Sequence, residues 1–391
     1  VTAAHEIKPS RSELTQVVRK ALGSDTLELT GWRIEQLAGG QGPSTRAVYR
    51  VSGATLDDGR EISWSVILKI TTLSKGSSDP YFADDSHALY WKREALAYQS
   101  GLLDDLPAGI VAPRCYGIVE KGASSAWLWL EDLEDVYPSG WPLEQYARAS
   151  YCLGRFNGAY LAGRPMPDCL WLVQDGSPRG LLNGNVWIRD MIATPDSWEH
   201  PLVRSAFPVP VADRLLRLWD EREMLLQILD RVPHTFCHLD AWRNNMVARS
   251  RDVHRGGLTL IDWAFPGRAA IGTDAGDLFI ESFSLAELND MEPQVLDRAV
   301  FESYLDGLCD AGWTGDARVV RCAYAAFCAL KQGCALFWLG DLLNEERQTV
   351  WQSIFKRPFA DFLFRQARLI YYLLELADEA QALEIAFAHK E

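Results

Sequence analysis

The segment "TFCHLDAWRNNMVAR", residues 235 to 249, sets His238, Asp240 and Asn245 in an otherwise apolar run, and "LIDW" follows with Asp262 and Trp263. A carboxylate such as Asp240 can take a proton from a hydroxyl or an amine. A carboxamide such as Asn245 is a neutral oxygen ligand for a hard divalent cation or an orienting hydrogen-bond donor. The four residues between them suit a loop that turns back before the strand-like "NMVAR". Asp262 ends a second strand-like run, and a hairpin of 246 to 249 with 257 to 261 would bring it beside Asn245. Two magnesium ligands and a base would then share one small volume. Each of the three residues alone would serve as well to cap a turn or satisfy backbone groups. Their coincidence in an apolar setting favours chemistry. His238 is placed to orient the Asp262 region through a hydrogen bond, not to act as a base.

Other elements must position these groups. Residues 11 to 29 read as a short helix and turn. "GWRIEQLAGGQGPSTRAVYRVSG" and "DDGREISWSVILKI" have strand composition around Gly-rich and Asp-Gly turns. Gly39, Gly40 and Gly42 permit a close hairpin whose amides approach phosphate, with Ser44 as a hydroxyl donor; taken alone they are better explained by a plain hairpin turn, and they gain weight because the next strands reach a lysine. The stretch lacks the Gly-Lys-Ser/Thr of a P-loop. Lys69 is the sole cation in the apolar "SWSVILKI", and an unpaired buried ammonium is costly, so it should meet an anion. Helical spacing follows in "HALYWKREALAYQSGLLDDL", where Lys92 and Arg93 read as solvent-facing charge, and "PRCYGIVEK" and "SAWLWLEDL" supply two more strands. The unit closes near Leu133, which divides the chain into 1–133 and 134–391. Helical spacing returns over 142 to 162, 210 to 232, 285 to 307, 315 to 340 and after 360. Residues 163 to 205 read as irregular, a candidate lid or substrate wall. The helix after 360 is amphipathic enough to cover the large lobe or to pair with another chain.

"HLDAWRNN" followed by "LIDW" resembles the catalytic and metal loops of the aminoglycoside phosphotransferase and choline kinase superfamily, whose loop reads His, any residue, Asp, four residues, Asn. The resemblance covers roughly residues 28 to 345 and is strongest from His238 through Asp262. It implies an α+β, bilobal protein-kinase-like fold, with a small antiparallel-sheet lobe and a large, mainly helical one. It implies ATP and Mg2+ as cofactors, Asp240 as the base for an acceptor hydroxyl, and Asn245 and Asp262 as metal ligands. Lys69 would meet the α and β phosphates, with Glu94 fixing it. Backbone groups at Trp129, Leu130 and Glu131 would meet the adenine edge, and Asp277, in "GTDAGDL", would brace the catalytic loop. Trp242, Arg243 and Asn244 depart from the pattern. Arg243 is either a contact to the transferred phosphoryl group or an ordinary surface arginine.

Composition narrows the partners. With 39 Lys plus Arg against 53 Asp plus Glu, a formal charge of −14, the chain lacks the basic footprint of a nucleic-acid binder. Its eight cysteines form no CxxC or finger-like spacing and read as reduced thiols of a cytoplasmic protein; no uninterrupted apolar run approaches a membrane span. The expected activity is ATP- and Mg2+-dependent phosphorylation of a small-molecule hydroxyl, with an aminoglycoside or amino sugar as one acceptor class. Choline-like amino alcohols and other natural products form the alternative class. A protein kinase ranks lower, and a non-catalytic nucleotide-binding module is the contrary reading. Asp274, Glu281 and Asp290 are candidate acidic contacts to the acceptor, and Trp187, Trp338 and Trp351 candidate walls. Oligomeric state is not readable.

Overall fold

The computed structural model describes residues 7–37, 44–73, 80–251, 257–285, 291–341, 345–355 and 358–388. Helix α1 (Arg11–Leu22) starts at Ser10, whose hydroxyl accepts the Glu13 N–H, and stops at Gly23 in the left-handed conformation. Strands β1 (Glu28–Gln36), β2 (Thr45–Asp57) and β3 (Arg60–Thr72) follow as an antiparallel meander, then α2 (Arg93–Gln99), β4 (Ile110–Val111), β5 (Cys115–Glu120) and β6 (Ser125–Glu131). The sheet order is β1-β2-β3-β6-β5.

Strand alternation decides what each face does. Val66, Leu68 and Ile70 of β3 and Trp129 of β6 pack with Leu14, Val17 and Val18 of α1. Ile67 of β3 and Leu128 and Leu130 of β6 pack with Ala95 of α2 on the other face. Lys69 therefore points to the α2 side.

The large lobe begins with α3 (Leu143–Leu161). Residues 163 to 205, expected to be irregular, instead hold α4 (Arg179–Gly184), α5 (Trp187–Ala193), α6 (Pro195–Glu199) and the start of α7 (Pro201–Ala206). These helices are too short to display a helical period, and Leu182, Ile188, Ile192 and Val203 tie them to the main core. Helix α8 (Ala212–Arg231) leads to β7 (His234–Cys237), β8 (Met246–Ala248), β9 (Leu258–Leu260) and β10 (Gly267–Ala270). The remainder is helical: α9 (Thr273–Leu285), α10 (Pro293–Asp310), α11 (Ala317–Cys328), α12 (Phe337–Asp341), α13 (Glu345–Phe355) and α14 (Phe359–Ala388). The helix expected over 285 to 307 begins later, at Pro293, and runs to Asp310 as α10, while Leu285 ends α9. Between α11 and α12 the chain makes a π-helical turn, Ala329–Gly333. Ala317–Asp341 is long and apolar enough to cross a membrane by composition, but most of it is buried in this core. Helix α14 covers α11 and also packs on α7, α8 and α9. One strand crosses the division expected near Leu133: β4 pairs in parallel with β9 and joins the β8–β9 hairpin. All eight cysteines are free thiols, five of them buried.

Candidate active site

The β8–β9 hairpin brings the site together. Met246 pairs with Leu260, and the Ile261 N–H donates to the Asn245 carbonyl at 2.9 Å, so Asn245 and Asp262 leave the hairpin side by side. Both amide hydrogens of Asn245 go to Asp240, at 2.6 Å to Oδ2 and 3.0 Å to its carbonyl oxygen. Among the described residues, the Asn245 carboxamide oxygen accepts no hydrogen bond. Asp262 stands in the left-handed region at φ 60°, a conformation that Asp and Asn tolerate better than other side chains with a Cβ.

From the small lobe, Lys69 Nζ reaches Asp262 Oδ1 at 2.7 Å and Glu94 Oε2 at 2.6 Å. The lysine is only 5% exposed, and the two carboxylates hold it protonated, raising its pKa despite burial. Burial pushes the Glu94 carboxyl up to about 7 against the pull of Lys69. Arg93, expected to face solvent, is instead fully buried. Its guanidinium donates to the carbonyls of His87 (2.6 Å), Ala88 (2.5 Å), Trp171 (2.5 Å) and Ala264 (3.2 Å), which clamps α2, and so Glu94, onto the large lobe just beyond Asp262. Desolvation lowers its pKa to about 10.

The backbone of the 238–245 loop is braced by a different aspartate from the one expected. Asp274, fully buried at the start of α9, accepts the N–H groups of His238 and Leu239 at 3.0 Å each and the Asn157 amide at 3.0 Å. Tyr304 donates to the same Asn157 at 2.9 Å. This anchorage holds Leu239 in the left-handed region at φ 65°, a conformation that costs on the order of 1–3 kcal/mol and turns the next residue, Asp240, out of the loop. Asp277 instead pairs with Lys331. His238 is wholly buried; its Nε2 lies 3.0 Å from the Ile261 carbonyl and its ring packs edge-on to Trp263. The Nε2 contact ties its ring to the residue before Asp262.

Arg243 meets neither expectation, phosphoryl contact or surface charge. It pairs with Asp135 at 3.0 Å, donates to the carbonyls of Tyr137 and Met246, and lies 4.4 Å over the Trp141 ring. Arg243→Met is expected to lower unfolding free energy in urea by about 2 kcal/mol while nucleotide affinity is retained. Loss of nucleotide affinity without loss of stability would return the residue to the phosphate site.

The adenine-edge expectation also shifts. Strand β6 has neighbours on both sides: Trp129 pairs with Leu68 and Gly117, and Leu130 with Ile67 and Cys115. The Glu131 N–H donates to Arg114, and the Trp129 ring faces α1, donating to Glu13 at 3.0 Å. The chain leaves the sheet at the end of β6, after Glu131. Gly39, Gly40 and Gly42 lie outside the described residues, as does Asp290. Ser44 stands at the entry to β2, its carbonyl accepting the Thr72 N–H. Asp274 and Trp338 are buried; Trp338 stacks on Phe207, and Trp351 stacks on Phe362. Of the three tryptophans, Trp187 alone is exposed.

Around Asp240, burial and the nearby Asp262 carboxylate push the carboxyl up to about 7, while Lys331 and the Asn245 hydrogen bond pull it down. Lys331 was not among the residues expected at the site.

No protein-family model matches the chain, and comparison with curated proteins finds no match. Among solved structures, it is similar to a microcompartment-associated aminopropanol kinase, at 14% identity over 90% of this chain and 94% of that one, with a TM-score of 0.51. It is also similar to the amicoumacin kinase hAmiN, solved with AMP-PNP, Ca2+ and Ami, at 15% identity over 93% and 94% of the two chains, with a TM-score of 0.50. The chain has the bilobal kinase-like fold of these two proteins.

Proposed function

We propose that this chain is a small-molecule kinase, transferring the terminal phosphoryl group of ATP to a hydroxyl with the help of Mg2+. The observation that carries the reading is Lys69, which bridges Glu94 on the small lobe and Asp262 on the large one, 193 residues further on, beside Asp240 and Asn245. A buried ammonium against two carboxylates is costly to assemble. Beside a base and two hard oxygen ligands, it is the equipment of phosphoryl transfer.

The donor set fits magnesium. Asn245 and Asp262 would hold it through oxygen, and Mg2+ commonly takes one or two carboxylates with the remaining positions filled by phosphate and water. When bound, the ion would neutralise charge on the phosphate oxygens. Lys69 supplies a fixed positive charge for the same oxygens. Asp240 orients the acceptor hydroxyl and takes its proton as the acceptor oxygen bonds to phosphorus and the bond to the β-phosphate oxygen breaks, releasing ADP.

The test is Mg2+-dependent ADP release, with ATP or GTP as donor, across aminoglycosides, amino alcohols, sugars and nucleosides. Acceptor-dependent release that stops on chelation supports the reading. Nucleotide binding with no release for any acceptor would favour a non-catalytic binding module instead.

A further inference from the structure

Helix α9 is pinned to the catalytic loop at two places. Asp274 takes the N–H groups of His238 and Leu239, and the Ser282 hydroxyl takes that of Arg243 at 3.1 Å. Eight residues of helix, about 12 Å, separate the pins. Asp240 lies in the loop between them, opposite the α9 face that carries Asp277 and Glu281, three and seven positions after Asp274. The π-helical turn Ala329–Gly333 adds two consecutive side chains to this face. Lys331 pairs with Asp277 and lies 3.6 Å from Glu281, while Gln332 donates to Glu281 at 3.0 Å. Two consecutive side chains of this turn thus meet one carboxylate, Glu281. Asp277 is 2% exposed, whereas Glu281 and Lys331 are 16% and 22% exposed at the side chain and so open toward solvent. The electrostatic influence of Lys331 and Glu281 on Asp240 agrees with their lining the same space.

We infer that Glu281, Lys331 and Gln332 form the acceptor-binding wall of this site, and that it selects an uncharged hydroxylated molecule such as a sugar, cyclitol or nucleoside over a polycation. The inference rests on the kinase reading above. The two carboxylates of the wall itself are already occupied by Lys331, and Glu281 by Gln332 as well. Within the wall, one lysine against two carboxylates leaves at most one net negative charge, and the carboxylate beside it, Asp240, is taken by the Asn245 amide and the acceptor hydroxyl. A polycation would have to displace Lys331 from a nearly dry partner, which a hydroxyl need not do. Hydroxyls can instead accept from Lys331 and donate to Glu281.

The experiment measures binding of uncharged polyols and nucleosides, aminoglycosides, and choline-like amines by calorimetry in the presence of Mg2+ and AMP-PNP, alongside ADP release with ATP. Wild-type protein is expected to bind and turn over an uncharged acceptor at least tenfold better than any polycation. Lys331→Met, which bares two carboxylates, is expected to shift the cation-to-neutral binding ratio by tenfold or more toward cations, and Lys331→Arg to restore it. Should Lys331→Met fail to fold through its orphaned Asp277, the paired Lys331→Met/Asp277→Asn and the single Glu281→Gln test the wall without a bare buried charge. Each is expected to weaken the uncharged acceptor by tenfold or more, with nucleotide affinity within twofold of wild type. Preference of the wild type for polycations, binding by neither class, or unchanged acceptor affinity in these variants overturns the inference. Binding of an uncharged acceptor without ADP release leaves the wall standing and sinks the kinase reading.

Discussion

Asp262→Asn is expected to reduce Mg2+-dependent turnover by at least about 10^3-fold while leaving the fold intact, because the lost charge serves both the metal and Lys69. Retention of the fold follows from three features. Asparagine tolerates the left-handed φ of 60° as well as aspartate does. The side chain keeps its shape, and its oxygen can still accept from Lys69 at the position where Oδ1 now lies, 2.7 Å away. Lys69 also keeps Glu94, at 2.6 Å, and loss of the Asp262 charge, one of the causes that raise the Glu94 carboxyl, favours its ionised form, so the buried ammonium keeps a counter-charge. What asparagine lacks is the carboxylate's affinity for a divalent cation. Kinetics at rising Mg2+ should therefore show loss of both metal affinity and maximal rate, with thermal unfolding near that of the wild type. A folded Asp262→Asn protein whose turnover lies within tenfold of the wild type would remove this carboxylate from phosphoryl transfer and leave the Lys69 bridge as a purely structural contact between lobes.

The parts of the site readable in the sequence are those set by short-range geometry. A loop of four residues fixes Asp240 relative to Asn245, and the β8–β9 strand pairing fixes Asn245 relative to Asp262, so spacing foretells their meeting. Lys69 was readable because a lone cation in an apolar strand needs an anion. The same argument applies to Lys331, a lone cation in "AYAAFCALKQGCALF", yet its partner lies 54 residues away on another helix and no local pattern points to it. Asp274 and Asp277 sit three apart on α9, where either fits a helix face. Which one reaches the loop depends on how α9 enters from β10, and that is decided by packing against α3 and α10. Arg93 and Arg243 defeat the rule that arginines flanking a motif are solvated. Each ends on backbone carbonyls, from residues as far away as Ala264 for one and Tyr137 for the other, and such acceptors leave no trace in residue type. The bilobal fold was expected from the resemblance carried by "HLDAWRNN" and "LIDW"; the strand and helix periods by themselves gave only a strand-rich first third followed by helices. The short helices between 179 and 206 were not readable, since five to seven residues cannot display a period of 3.6.

Asp240→Asn separates the base from everything around it. Activity is expected to fall about 10^2- to 10^4-fold, the usual worth of a positioned general base, with nucleotide affinity retained. The Asn245 hydrogen bonds survive, because the new side-chain oxygen and the unchanged backbone carbonyl both still accept. Because burial and Asp262 raise the carboxyl to about 7 in the folded protein, against an ordinary value of 3.8, two pH effects of opposite sense follow. Only the ionised form takes a proton, so the wild-type kcat/KM should climb with rising pH through a limb above the usual carboxylate range. That limb should be absent from the residual rate of the variant. Stability runs the other way. Between 3.8 and about 7 the folded state holds a proton that the unfolded state has released, so this group's contribution to stability is full below 3.8 and is lost as pH rises to 7. Asparagine carries no such charge to desolvate. Asp240→Asn should therefore melt at a higher temperature than the wild type at pH 8, and the two curves should converge as the pH is lowered toward 4. A variant less stable than wild type at pH 8 would mean that Asp240 stabilises the loop as an ion, and the strained turn at Leu239 would then serve the fold instead of presenting a base.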